Sequence, residues 1–267
     1  MQWNLIWILI KKDWSDTFKS KQIIATTVLV PLMMALFVPA SMVWPLSFME
    51  SDETSDLGFL SDLFPPLTPD WNQFSDKAKL MYLFVIFSYL FFLLVPIIVS
   101  STVSSDTIVG EKERDTIEGL LSLPLSSSEL LLGKILSSLL PSLFATWVVA
   151  IPFVILIDYF MFPVIGRLLL PDLTFTLLIT CLTPLLSFIS VTGTIMISSR
   201  TATTRDAQQL SVLFALPITA LVAGQLLIIL FDIRLILVGV IVLGIISYAA
   251  FKIATRIFDR DRLMTSI

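Results

Sequence analysis

Residues 80–105 form one run of 26 positions without a single charged side chain. An α-helix rises 1.5 Å per residue, so about 20 apolar residues are enough to cross the hydrocarbon core of a bilayer. The rest of the chain has the same character, because 56% of its 267 residues are hydrophobic and 14% are charged. Soluble domains carry about 25% charged residues. A chain with so little polar surface needs lipid around it, and the sequence predicts an all-α membrane protein.

The apolar runs predict about six transmembrane helices. The predicted spans cover residues 22–45, 80–104, 135–160, 173–197, 209–231 and 234–256. Only Asp232 and Arg234 place charge between the last two, but the 48 residues from 209 to 256 are long enough to cross a bilayer twice. We therefore predict one six-span transmembrane domain, residues 22–267, preceded by a cytoplasmic segment, residues 1–21.

Lysine and arginine are unequally divided between the two sides of this layout. The N-terminus, residues 105–134, residues 198–208 and the C-terminus together hold 13 of them, and the opposite side holds four. Positive charge in short loops concentrates on the cytoplasmic side of membrane proteins. We therefore expect a multi-pass protein of the cytoplasmic membrane with both termini in the cytoplasm.

The first residues predict an amphipathic helix over positions 3–20. Apolar side chains recur there at helical spacing and charged ones take other positions: Trp3, Ile6, Trp7, Ile10, Trp14 and Phe18 against Lys11, Lys12, Asp16 and Lys19. Tryptophan favours the headgroup region, and a helix of this kind lies in the membrane interface. A short span over residues 1–10 is the alternative, but ten apolar residues are too few to cross a bilayer.

The longest predicted external segment covers residues 46–79. It is acidic, it contains Pro65, Pro66 and Pro69, and it also carries several aromatic side chains. Such a mixed composition suits either a solvated connector or a small external cap. Both interpretations stay open.

Several classes of function are excluded by what the chain lacks. It has no histidine, which removes histidine-based zinc sites and Ser-His-Asp triads, and we expect no metal site. Its one cysteine, Cys181, cannot form an intrachain disulfide. Gly133-Lys134 is followed by Ile135, so the chain has no P-loop for ATP. We predict no catalytic residue, and the pI near 4.8 argues against nucleic acid as a partner.

The predicted cytoplasmic segment 105–134 holds more charge than any other internal stretch. Asp115 followed by Glu118 resembles a helix N-cap with an acidic third residue, and Ser126 with Glu129 has the spacing of a capping box. The sequence therefore predicts a short amphipathic helix over residues 115–123. Its apolar face needs either a soluble partner or a fold-back onto the bundle or lipid.

Residues 110–125 read GEKERDTIEGLLSLPL, and Glu129, Leu130, Gly133 and Lys134 follow. This run closely resembles type-2 ABC transporter permeases, which carry an E-K-E-x-x-T-x-E-x-L-L-x-x-P pattern ahead of a G-K that leads into the third span. Residues 205–210 and the charged tail 256–263 are similar to other parts of the family. The most similar branch by motif contains sodium-efflux and multidrug-export permeases.

The resemblance implies a type-2 ABC exporter-like fold and a function. Residues 105–134, hereafter the coupling segment, would contain a coupling helix that docks on a separate nucleotide-binding ATPase subunit, and the N-terminal helix would correspond to the family's connecting helix. The residues implied in coupling are Glu111, Glu113, Arg114, Thr116, Ile117, Glu118, Leu120, Leu121 and Pro124. ATP and magnesium would bind in the partner subunit, and no cofactor in this chain. A homodimer, or a pair with a related permease, would supply the transport path.

Other functions compete with an export permease. A secondary carrier or channel would work without an ATPase, although the predicted spans contain almost no ionisable residue for ion coupling. A membrane enzyme would lack the usual catalytic groups, and a structural membrane protein would need no cargo path. Hydroxyl and amide side chains in the spans could contact cargo or bond neighbouring helices: Thr26, Thr27, Ser187, Ser190, Thr192, Thr194 and Gln225.

Overall fold

The structure is a computed structural model of the chain. It describes residues 3–19, 24–49, 59–62, 64, 66–68, 70–116, 119, 124–199, 201, 203–211, 213, 217, 220, 224 and 234–257. Within those residues the regular secondary structure is helical and there is no strand. The predicted all-α membrane fold is confirmed.

Within the described residues, six helices have 17 residues or more. They are α1 (Trp3–Lys19), α2 (Val30–Phe48), α3 (Asp76–Glu113), α4 (Ser127–Ile165), α5 (Leu173–Ser198) and α6 (Arg234–Ile257). Five of them, α2 to α6, contain stretches long and apolar enough to cross a membrane. These five correspond to the predicted first, second, third, fourth and sixth spans. The predicted fifth span, residues 209–231, lies mostly outside the described residues, and a helix over 204–211 leads toward it.

The two longest helices extend well beyond the spans that the sequence predicted. α3 has 38 residues and α4 has 39, so each is about 57 Å long, whereas the hydrocarbon core is about 30 Å thick. Residues 105–113 of the coupling segment therefore belong to α3, and residues 127–134 belong to α4. Serine side chains start both helices: Ser75 accepts from Ala78 N, and Ser126 accepts from Glu129 N.

α3 lies at the centre of the bundle, where it packs against α2, α4 and α5. Its apolar side chains are buried on several faces, as expected for a helix surrounded by other helices. A cluster of aromatic rings fills the contact between α3, α4 and α5: the Phe153 and Phe175 rings stack 5.5 Å apart, and Tyr89 and Phe92 pack against both. This cluster fixes how the three helices pack in one half of the bundle.

Wide turns of π-helix lie within two of the predicted spans. They cover Ala25–Leu29 and Leu178–Leu182, and a proline follows each one within two residues, Pro31 and Pro184. Proline cannot donate the backbone hydrogen bond of a regular helix and its ring needs extra room. The wide turns supply that room, so the helices continue past both prolines.

α1 confirms the predicted N-terminal helix, but its apolar side chains do not form a single face. Ile6, Leu9 and Ile10 are buried against the start of α4, whereas Trp3 and Trp7 are exposed. One side of α1 is therefore a protein contact. The exposed tryptophans remain available to the membrane interface.

The helix ends next to the predicted external segment are held by polar contacts. Asp158, near the end of α4, accepts hydrogen bonds from the backbone N–H groups of Leu169 and Leu170. Arg167 pairs with Asp70 at 2.8 Å, which ties the turn after α4 to the predicted external segment 46–79. Residues 50–58 of that segment lie outside the described residues.

Candidate functional site

Four charged side chains meet where α1, α3 and α4 come together: Lys12, Asp13, Glu111 and Lys134, hereafter the ion cluster. Lys134 is 0% exposed. Its ammonium nitrogen lies 3.0 Å from Asp13 Oδ2 and 3.1 Å from Glu111 Oε1. Burying a charge costs several kcal/mol unless opposite charges and hydrogen bonds compensate it. The cluster therefore holds three helices in one arrangement.

Polar contacts around the ion cluster reinforce it. Ser137 Oγ donates to Asp13 Oδ2 at 2.9 Å, and the Trp14 indole donates to the Ser137 carbonyl at 3.0 Å. Lys12 Nζ donates to Glu111 Oε1 at 2.6 Å and keeps 48% of its side chain exposed. Burial works to lower the pKa of Lys12, but the hydrogen bond and charge of Glu111, together with the charges of Asp13 and Asp16, outweigh it, so the pKa is raised. Lys12 is thus the cluster's charged contact with water.

Gly133 allows α1 to approach α4 beside the ion cluster. A Cβ atom at this position would lie 2.9 Å from Leu9 Cδ2 and 3.7 Å from Ile6 Cγ2. Glycine has no such atom, so the two helices come close enough for Lys134, the next residue, to reach Asp13. The Gly-Lys pair of the sequence motif therefore has a packing function and an electrostatic one.

α3 ends in a tight hydrogen-bonded turn. Thr116 N donates to the Glu111 carbonyl, Asp115 N donates to the Lys112 carbonyl, and Asp115 has φ 56°. This pair of bonds with one left-handed residue is the Schellman motif, which ends many helices. Asp115 therefore follows a helix and does not have the extended backbone of an N-cap, so its predicted role as an N-cap is wrong. The cause is that α3 continues nine residues beyond the predicted span.

Two neighbouring residues in the last turn of α3 reach the connection between α5 and the helix 204–211. Lys112 Nζ donates to the Ser199 carbonyl at 3.0 Å. Glu113 Oε1 accepts from Thr204 N at 2.8 Å and from Thr204 Oγ1 at 3.1 Å. The last turn of α3, within the coupling segment, is thus bonded to the C-terminal end of α5 and to the beginning of the helix 204–211.

An open groove runs beside the ion cluster, between α1 and the end of α3. It has a volume of about 360 Å³ and is lined by Lys12, Asp16, Lys19, Glu111, Arg114 and Thr116. Arg114 also pairs with Asp106 at 2.9 Å. Lys134 already balances the negative charge of Glu111. The other charged side chains that line the groove are therefore three cations, Lys12, Lys19 and Arg114, and one anion, Asp16.

The predicted coupling residues occupy different environments. Glu111 is buried in the ion cluster, whereas Glu113, Arg114, Thr116 and Pro124 are exposed. The remaining four, Ile117, Glu118, Leu120 and Leu121, lie outside the described residues. The predicted capping box is confirmed: Ser126 N donates to Glu129 Oε2 at 3.0 Å, and Glu129 N donates to Ser126 Oγ at 3.3 Å.

The polar side chains predicted either to bond neighbouring helices or to contact cargo occupy different environments. Ser190 donates to the Ile97 carbonyl across the α3–α5 contact, and Thr192 donates to the Phe188 carbonyl of its own helix. The hydroxyls of Thr27, Ser187 and Thr194 are buried and have no partner among the described residues. The side chains of Thr26 and Gln225 lie outside the described part.

Sequence reasoning missed three members of the ion cluster: Lys12, Asp13 and Lys134. Asp13 falls on the buried face of α1, next in helical spacing to Leu9 and Ile10, and it is the one charged position on that face in the described helix. Lys134 was recognised only as part of a motif. A charged residue on the apolar face of an amphipathic helix was the available signal, because such a residue needs a buried partner.

A comparison with protein-family models matches residues 7–232 of the chain to the ABC-2 family transporter protein. No curated protein matches the chain. The matched region begins in α1 and contains α2 to α5, and therefore the whole ion cluster and the coupling segment. The chain belongs to the ABC-2 transporter family, as a multi-pass permease subunit of an ABC transporter.

Proposed function

We propose that this chain is the membrane subunit of an ATP-driven export complex in the cytoplasmic membrane, with both termini in the cytoplasm. A separate ATPase subunit binds ATP and magnesium and docks on the coupling segment. The cargo moves outward along a path between this chain and a second copy or a related permease. The observation that carries the proposal is the ion cluster, which joins three helices at the base of the coupling segment.

The ion cluster supports the proposal because of where its charges lie. Glu111 is in the last turn of α3, and Lys134 is in the second turn of α4, so the cluster spans the two ends of the coupling segment. Buried, paired charges resist separation. A force applied between residues 114 and 126 therefore reaches α3, α4 and α1 together.

The exposed part of the segment supports docking of a soluble partner. Arg114, Thr116 and Pro124, which the family resemblance implies in ATPase contact, are exposed, and so is Asp115 between them. The exposed Trp3 and Trp7 of α1 favour a position at the membrane interface, and the excess of lysine and arginine on this side favours the cytoplasm.

One face of α4 supports a second membrane subunit. Phe144, Ile151, Ile155 and Tyr159 recur at helical spacing and are all exposed. In a bilayer this stripe contacts either lipid or another transmembrane helix. Pairing two such subunits would supply the dozen or so helices that a path between protomers needs.

The test is purification of the tagged chain from its native membranes in mild detergent. We expect an ATP-hydrolysing subunit with a P-loop to copurify, identified by mass spectrometry and by ATPase activity. Glu118→Lys is expected to lower the retained ATPase about tenfold, equivalent to about 1.4 kcal/mol of binding free energy. Glu53→Lys, the same charge change in the predicted external segment, is the matched control.

Two results would contradict the proposal. One is a purified chain that retains no ATPase in any detergent or in nanodiscs. The other is gradient-driven flux through the chain alone in liposomes, which would establish a secondary carrier or channel.

A further inference from the structure

Lys112 and Glu113 contact two helix ends of opposite polarity. Ser199, whose carbonyl accepts from Lys112, is the C-cap of α5. Thr204, whose N–H and hydroxyl donate to Glu113, is the first residue of the helix 204–211. Two neighbouring residues of α3 thus contact the end of α5 and the beginning of the helix 204–211.

The charges of these two residues match the helix ends that they contact. The C-terminus of a helix carries partial negative charge and the N-terminus partial positive charge. The Lys112 ammonium therefore lies at the end that favours a cation, and the Glu113 carboxylate lies at the end that favours an anion. Both contacts stabilise the connection between α5 and the next helix in its present position.

The helix 204–211 also has a local cap. Because that cap does not bond every N–H of the first turn, one N–H is left for Glu113. Thr203 Oγ1 accepts from Asp206 N at 3.2 Å and donates to Asp206 Oδ2 at 2.7 Å. This local pair does not bond to Thr204 N, which is one of the free donors of the first turn. Glu113, which is 91 positions away, accepts from that N–H at 2.8 Å. The helix beginning is thus completed by the coupling segment.

We propose that Lys112 and Glu113 are positioning residues that link the coupling segment to the inner ends of the fourth and fifth spans. This inference rests on the proposed function, because it assigns the path by which movement of the segment reaches those spans. The family resemblance implies that Glu113 contacts the ATPase. In this structure its carboxylate is already bonded within the chain, and its effect on the ATPase is indirect.

The sharpest variant exchanges the two charges, K112E/E113K, which keeps composition and net charge. It places an anion at the C-terminus of α5 and a cation at the beginning of the next helix. The assay is limited trypsin cleavage of the purified chain after Arg205, an exposed residue of that helix. We expect cleavage about fivefold faster than in the wild type, as the loss of two charge–helix-end interactions implies. The tail exchange D259R/R260D is the matched control and leaves the rate unchanged.

A milder variant tests whether faster cleavage comes from the lost contacts and not from general unfolding of the chain. Thr204→Val removes the hydroxyl but keeps the N–H that Glu113 accepts, and we expect a rate between those of the wild type and the exchange variant. The second readout uses the complex. The exchange variant retains as much ATPase as the wild type, but trapping the ATPase with ATP and vanadate changes Arg205 cleavage only in the wild type.

Two outcomes would overturn the inference. Equal cleavage rates in the wild type and K112E/E113K would mean that the two residues do not hold the connection. Loss of the ATPase from K112E/E113K would mean that they contact the partner directly. A wild-type chain that retains no ATPase defeats the proposed function instead, and cleavage of the isolated chain still decides whether the two residues hold the helix ends.

Discussion

Asp13 and Lys134 are 121 positions apart in the chain, yet both carboxylate oxygens of Asp13 lie within 3.1 Å of the Lys134 ammonium nitrogen. This contact makes the N-terminal helix part of the same unit as the coupling segment. Lys134 also contacts Glu111, so one buried cation is shared by residues of two other helices. Its removal leaves two buried carboxylates with less compensation.

We expect Lys134→Met to lower the free energy of unfolding by about 3–5 kcal/mol, because it leaves buried charges without their partner. Tryptophan fluorescence during thermal unfolding of the detergent-solubilised chain measures the change. Lys19→Met is the control, because Lys19 lies at the end of α1 and is exposed, and an exposed ion pair contributes about 0–1 kcal/mol. Similar melting temperatures for the two variants would contradict this prediction.

Gly133 predicts a pair of compensating substitutions. Gly133→Leu forces a side chain into the space of Leu9, and overpacking of this kind costs about 1–3 kcal/mol. Leu9→Ala leaves a cavity at the same place, which also destabilises. We expect the double variant to melt above both single variants, because the new leucine fills the space that the old one left. Additive losses would contradict the close contact between α1 and α4.

Asp115 predicts a stabilising substitution. Its φ of 56° is in the left-handed region, where glycine has no steric cost. Asp115→Gly should therefore raise the free energy of unfolding by about 0.5–1 kcal/mol, and Asp115→Ala should not. Chemical or thermal unfolding of the two variants side by side checks the sign. A glycine variant no more stable than the alanine variant would contradict the Schellman turn.

The raised pKa of Lys12 predicts a loss of stability in alkali. The hydrogen bond and charge of Glu111 raise this pKa above its ordinary value of 10.5, although burial opposes them. The cation is favoured in the folded state, so the added stability is fully present below pH 10.5 and is lost as the pH rises through the folded-state pKa.

The measurement is the melting temperature of the wild type and Lys12→Met between about pH 9 and pH 12. We expect the wild type to lose more stability over this range than the variant, which has no ammonium group to titrate. Parallel curves would show that the Lys12–Glu111 contact does not depend on the charge of Lys12.

The parts of the fold that sequence predicts are those set by local pattern. Apolar length gave the five described spans, and the spacing of Ser126 and Glu129 gave the helix start at Ser127. The ion cluster depends instead on which helices pack together. Asp13 has the helical spacing of Leu9 and Ile10, but only the packing of α1 on α4 shows that Asp13 is buried and that Asp16 stays half-exposed. The prediction of Asp115 as an N-cap was wrong because α3 continues to Glu113, which places Asp115 in the turn that ends this helix.

α3 continues over 38 residues from its serine cap to the Schellman turn. A rod about 57 Å long amplifies small rotations. If the end near Glu111 is held and the helix tilts about that end by about 5°, its Asp76 end travels about 5 Å. A tilt of α3 that leaves the salt bridges at one end intact would therefore move its other end far enough to open or close a passage.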